Sequence, residues 1–112
     1  MQKPIDKTLV ERAIKTMEII VEKVASDGDF LQCRMALGYL KEILTVLSAE
    51  YFVEHEYKMY CLNAVIALLH SCRDLRRNDK PKHAGVVFRL TSRLFFADAL
   101  WDDAVLLQQE DA

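Results

Sequence analysis

Turn-forming residues are what this chain has least of: three glycines and two prolines among 112 residues. That scarcity excludes collagen-like repeats and argues against a strand-and-turn architecture. Disorder is excluded as well, because apolar residues make up 52% of the chain and charged residues only 29%. Internal repeats are lacking too: the Trp, Leu-Gly and Tyr positions of tetratricopeptide units do not recur at their roughly 34-residue period. Long hydrophobic runs are also missing. The most apolar stretch, Tyr60 to Leu69, has Asn63 as its one committed polar residue and is bracketed by Lys58 and Arg73. It falls far short of the ~20 residues that span a bilayer. It therefore reads as a core helix, apolar on nearly every side and in need of other elements around it. No membrane partner is expected, and since no basic leader with a cleavage site opens the sequence, a cytoplasmic protein is.

Catalytic and metal motifs are lacking in the same way. The cysteines, Cys33, Cys61 and Cys72, are odd in number and widely spaced. Each falls on an apolar seam, where a thiol behaves as a small hydrophobe, so free structural thiols are expected. His70 and Cys72 are two apart and point to different faces of a helix. His55-Glu56 lacks the second histidine of a zinc-protease helix. No nucleophile sits in a strained glycine-flanked turn. Asp98 and Asp102, one turn apart with Asp103 beside them, have no neighbouring His, Lys or further carboxylate and read as a solvated acidic border. Accordingly no catalytic residue, cofactor or metal ligand is assigned, and the chain is expected to have no enzymatic activity.

What the chain does have is helical spacing, sustained from Val10 to Val105. A Thr8-x-x-Glu11 capping box predicts a first helix over about Leu9 to Ala25, with Val10, Ile14, Met17, Val21 and Val24 inward beside Ala13 and Ile20. Gly28 is expected to take the left-handed conformation after it, and Asp29 to cap the next helix. That second helix carries Cys33, Ala36, Leu37, Leu40, Ile43, Leu44, Leu47 and Tyr51 on one face, with Gly38 expected to let a neighbour approach closely. Without a break, the pattern from Phe30 to Arg77 would be one helix of ~70 Å. The apolar register slips after Leu47, which places a turn within Ser48 to Glu54, with Ser48 a candidate cap. A third helix follows to about Arg77, its main face Tyr57, Tyr60, Cys61, Ala64, Val65, Leu68, Cys72 and Leu75, widened by Leu62, Ile66 and Leu69. Asn78 to Lys82 is a polar, proline-punctuated loop.

The fourth helix, from about Ala84, shows two apolar stripes. Val86, Val87, Leu90, Leu94, Ala97, Trp101, Ala104 and Val105 form one. Nearly opposite stand Phe88, Phe95, Ala99 and Leu106, bordered by Thr91, Asp98 and Asp102. A short fifth helix capped by Asp98 and a frayed acidic tail over about 108–112 complete the expectation. The whole is a single all-α domain, 1–112, an antiparallel bundle of four main helices.

Function enters through two surface features. The second stripe predicts a protein interface at Phe88, Phe95, Ala99 and Leu106, expected to hold a homodimer, and with it a regulator, inhibitor or adaptor that binds another protein. Charge is the other feature. From His70 to Arg93 seven residues are basic and two acidic, whereas Leu94 to Ala112 holds five acidic and no basic residues. Arg73, Arg76, Arg77, Lys80, Lys82, Arg89 and Arg93 are thus candidates for contact with phosphate or an acidic partner, which makes nucleic-acid association the alternative function.

Overall fold

The computed structural model describes residues 4–95, and among them every regular element is helical: α1 (Lys7–Ile19), α2 (Phe30–Ser48), α3 (Glu54–Arg77) and α4 (Pro81–Phe95). Short turns make successive helices antiparallel. α2 and α3 share the most extensive packing, followed by α3 with α4 and α1 with α2, and a light α1–α4 contact closes the ring. The expected all-α four-helix bundle is what the described residues form.

α1 starts two residues earlier than the capping box implied. Asp6 is the cap: its Oδ1 accepts the Thr8 N–H at 2.8 Å, which leaves Thr8 inside the first turn. The α-helix stops at Ile19 and continues as a single π turn over Ile20–Val24, whose wider ladder shows in Ala25 N–H donating to the Ile20 carbonyl at 2.8 Å. Ile19, on the side of α1 opposite Val10, is 55% exposed, while Ile20 is buried and Val21 and Val24 pack on the core.

The break between α2 and α3 falls over Ala49–Val53, inside the interval where the register slips. Ser48 is the last residue of α2 rather than a cap; the cap position of α3 is Val53, with no side-chain bond. Tyr51, assigned by spacing to the α2 face, therefore lies beyond the helix end and is 78% exposed. The inner α2 face is Cys33, Ala36, Leu40, Ile43 and Val46. Gly38 is exposed, and a methyl built on it would meet nothing within 4 Å. Among the described residues no helix approaches there, so the expectation of close packing at Gly38 is not met.

The core joins Val10, Ala13, Met17 and Ile20 of the first helical segment to the α2 face, to Ala64, Ala67, Leu68, Cys72 and Leu75 of α3, and to Ala84, Val87 and Leu94 of α4. Two hydroxyls are buried in it, each satisfied within its own helix: Ser71 Oγ donates to the Ala67 carbonyl at 2.7 Å and Thr91 Oγ1 to Val87 at 2.9 Å. Thr91 is thus no border residue. On α4 the core-facing line is Ala84, Val87, Thr91 and Leu94, which takes in Val87 and Leu94 of the first expected stripe, with Phe88 and Phe95 of the second on one flank and Leu90 on the other, all three packed against the core.

Candidate functional site

The two ends of the bundle are built differently, and the contrast locates the candidate site. At one end the turns 26–29 and 78–80 meet. Asp29 does not cap α2 with its side chain. Its carboxylate turns inward, 1% exposed, and accepts the Ser26 N–H at 2.8 Å, Asn78 Nδ2 at 3.1 Å and Lys80 Nζ at 2.8 Å. Lys80 Nζ also donates to Ser26 Oγ at 2.7 Å. Burial acts to raise the Asp29 pKa, but the Lys80 bond and charge, the Ser26 N–H and the Asn78 amide outweigh it and hold the carboxyl below the usual aspartate value of 3.8.

The geometry beneath this cluster is a Schellman turn. Lys80 N–H donates to the Leu75 carbonyl and Asp79 N–H to Arg76, with Asp79 at a φ of 64° in the left-handed position that glycine usually takes. Gly28, expected in that conformation, has no positive φ. It serves a close approach instead, since a methyl on it would lie 2.5 Å from Asn78 Nδ2. Pro81 then opens α4 as its first residue, where the missing N–H costs nothing.

At the other end no comparable polar cluster joins the turns among the described residues. The Ile5 N–H donates to Tyr57 Oη at 2.9 Å, and the Phe52 and Tyr57 rings stand 5.2 Å apart. Tyr51, Phe52 and Val53 are exposed. The exposure continues along the outer side of α3 through Met59 (42%), Leu62 (62%) and Ile66 (46%), spaced three and four apart and therefore on one helix face. Leu62 and Ile66 do not widen the buried face as spacing alone suggested. They form the face opposite it, because α2 and α4 pack on one side of α3 and leave Met59, Leu62 and Ile66 exposed on the other. Ile19, Leu31 and Met35 are exposed as well, on α1 and α2, as a smaller set.

The same outer face ends in arginines. Counted at roughly 100° per residue, Arg73, Arg76 and Arg77 follow Met59, Leu62 and Ile66 around the same side of α3. Arg76 and Arg77 are exposed and complement the helix dipole. Arg73 is partly covered. Its Nε lies 3.6 Å from Asp74 Oδ1 and has no hydrogen-bond acceptor among the described residues.

Of the remaining basic candidates, Lys80 belongs to the Asp29 cluster, where its ammonium makes two internal bonds. Lys82, Arg89 and Arg93 are exposed. Phe88 and Phe95 are half-buried against the core of their own chain, and Ala99 and Leu106 lie outside the described residues, as do Asp98, Asp102, Asp103 and the region of the expected fifth helix and tail.

Cys33 and Cys72 are buried and Cys61 half-buried. Burial pushes their thiols up to about 11 for Cys33 and Cys61 and about 12 for Cys72, away from the reactive thiolate. Among the described residues no group of three or more His, Cys, Asp or Glu side chains is placed to hold a metal, and no helix is long and apolar enough to cross a membrane. Comparison with protein-family models, curated protein sequences and solved structures gives no match to this chain.

Proposed function

We propose that this domain acts by binding another protein, as a regulator, inhibitor or adaptor without chemistry of its own, and that the outer face of α3 is its binding surface. The observation that carries this reading is the exposed line Met59, Leu62 and Ile66. Single exposed apolar residues are ordinary on any protein, but an aligned group on one rigid helix is what interfaces use. A second copy of the chain is the partner on which the purified protein tests this reading.

Sedimentation velocity over a range of concentrations, on the wild type and on a Leu62→Asp, Ile66→Asp variant, makes that test. Self-association that the variant abolishes supports the α3 face. Self-association lost instead in a Phe88→Ser, Phe95→Ser variant moves the interface to α4, where Phe88, Phe95, Ala99 and Leu106 are its narrower form. A wild type that is monomeric throughout sets the homodimer aside.

A second reading, nucleic-acid association, is favoured by the exposure of Arg76, Arg77, Lys82, Arg89 and Arg93 on two adjoining helices. Binding of a single- or double-stranded oligonucleotide that weakens steeply with added salt supports it.

A further inference from the structure

The outer face of α3 is complementary to itself in charge, and we infer that two copies of the chain pair through it with their α3 helices antiparallel, about a two-fold axis between Leu62 and Ile66. This rests on the α3 face as the binding surface, as the proposed function does, and assigns the orientation and register of the pair.

The spacing along that face is the spacing of a helix seam. Met59, Leu62, Ile66, Leu69, Arg73 and Arg76 follow one another at alternating steps of three and four. Helices that pair lengthwise use this repeat. The first half of the seam is apolar, with Met59, Leu62 and Ile66 exposed and Leu69 half-buried. An axis between Leu62 and Ile66 sets Leu62 of each copy on Ile66 of the other, and Met59 on Leu69. All four then lie inside the pair, and the charged ends lie at its rim.

Charge is separated along α3. Its first turns carry Glu54, Glu56 and Lys58, its last turns Arg73, Asp74, Arg76 and Arg77, and no Asp, Glu, Lys or Arg stands between the two sets. Each set holds one pair of its own: Lys58 Nζ with Glu54 Oε1 at 2.9 Å, and Arg73 Nε with Asp74 Oδ1 at 3.6 Å. A surplus of negative charge remains at the first end and of positive charge at the second. In the adjoining turns Glu50 extends the acidic end, while Asp79 offsets part of the basic one.

These ends meet only in the antiparallel arrangement. At ~1.5 Å per residue Glu54 lies about 15 Å from the axis on one side and Arg76 about 18 Å on the other. At roughly 100° per residue the two stand on the same flank of the seam, and Glu56 and Arg77 share the opposite flank. The two-fold therefore brings Glu54 of one copy beside Arg76 of the other, and repeats the contact at the far end. A parallel pair would set Glu54 against Glu54 and Arg76 against Arg76, and like charge disfavours it. One helix from each copy makes a small interface, so association is expected to be weak.

Sedimentation velocity at low ionic strength tests the register on three chains: the wild type, an Arg76→Glu, Arg77→Glu variant and a Glu54→Arg, Glu56→Arg variant, both altered only at exposed positions. The wild type should self-associate. Each variant alone should do so with a dissociation constant raised about tenfold or more, because both ends of its pair then meet like charge. Mixed in equal amounts, the two variants should associate again, since every end of the mixed pair joins opposite charges. Recovery on mixing also shows that both variants are folded.

Charge variants that associate as tightly as the wild type overturn the antiparallel register. If Leu62→Asp, Ile66→Asp still abolishes association in that case, the α3 face stands as the binding surface and only this inference fails. Weakening that mixing does not reverse also overturns it, since the exchanged charges would then not be facing each other. A wild type that is monomeric at every concentration overturns both this inference and the homodimer, and leaves the α3 face to a different protein.

Discussion

The two ends of the bundle solve the same problem, reversing a helix, by opposite means. Where turns 26–29 and 78–80 meet, one buried carboxylate gathers a backbone N–H, an amide and an ammonium from both turns, and fixes all four helices at that level. At the α2–α3 turn the chain reverses through Ala49–Val53 without a side-chain cap on α3, leaving Tyr51 to Val53 exposed. Polar satisfaction makes the first end costly to alter, because removing one member strands a buried charge. The second end has little to lose from substitution, and surfaces that can change without cost to the fold are where binding is free to develop.

The largest effect should follow from Lys80→Ala, which leaves Asp29 buried without its cation. A loss of about 3 kcal/mol is expected, the lower part of the range for a broken buried pair, because Lys80 keeps some contact with solvent. Urea denaturation measures it. A loss below about 0.5 kcal/mol, the scale of a neutral surface change, would erase the contrast between the ends.

Acid sharpens the comparison next. Asp29 titrates lower in the folded chain than unfolded, so its contribution is fully present above the ordinary aspartate pKa. It is lost as pH falls below 3.8 and through the folded value. Chemical denaturation of wild type and Asp29→Asn at a series of pH values should therefore show a wild-type advantage at pH 6 that shrinks in that acid window.

Tyr57→Phe probes the other end. It strips the acceptor from the partly buried Ile5 N–H and should cost about 1 kcal/mol by thermal melting, well under the Lys80 effect. The smallest change is expected for Tyr51→Ser, within about 0.5 kcal/mol of wild type, since the ring is mostly in water. A large loss there would mean that the open turn is held by contacts beyond those among residues 4–95.

Much of the fold was legible because helical periodicity survives without tertiary information. Val10, Met17, Leu40, Leu68 and Leu75 were all placed inward by spacing and all are buried. The α2–α3 break was readable from a register slip with neither glycine nor proline to mark it. The candidate site was less legible. The run Tyr60 to Leu69 is apolar on nearly every side, and its spacing does not say which side its neighbours leave uncovered. A signal was present: a helix apolar on nearly every side, with few other helical segments in the sequence to pack on it, keeps one uncovered face. The internal pairing of Lys80 was not legible, because an ammonium that reaches a carboxylate 51 residues away in sequence looks like a surface charge until the turns meet.

The sequence alone determined the helical class, the four main helices in order and most of their inward residues, because these follow from local spacing and from the scarcity of turn formers. Only the tertiary structure decided that the Asp29 side chain is a buried acceptor rather than a cap, and that Asp79 takes the left-handed position expected of a glycine. It also decided that Leu62 and Ile66 face outward. Each of these depends on which distant segment lies opposite a side chain, and burial, unlike periodicity, is a property of the partner as much as of the residue.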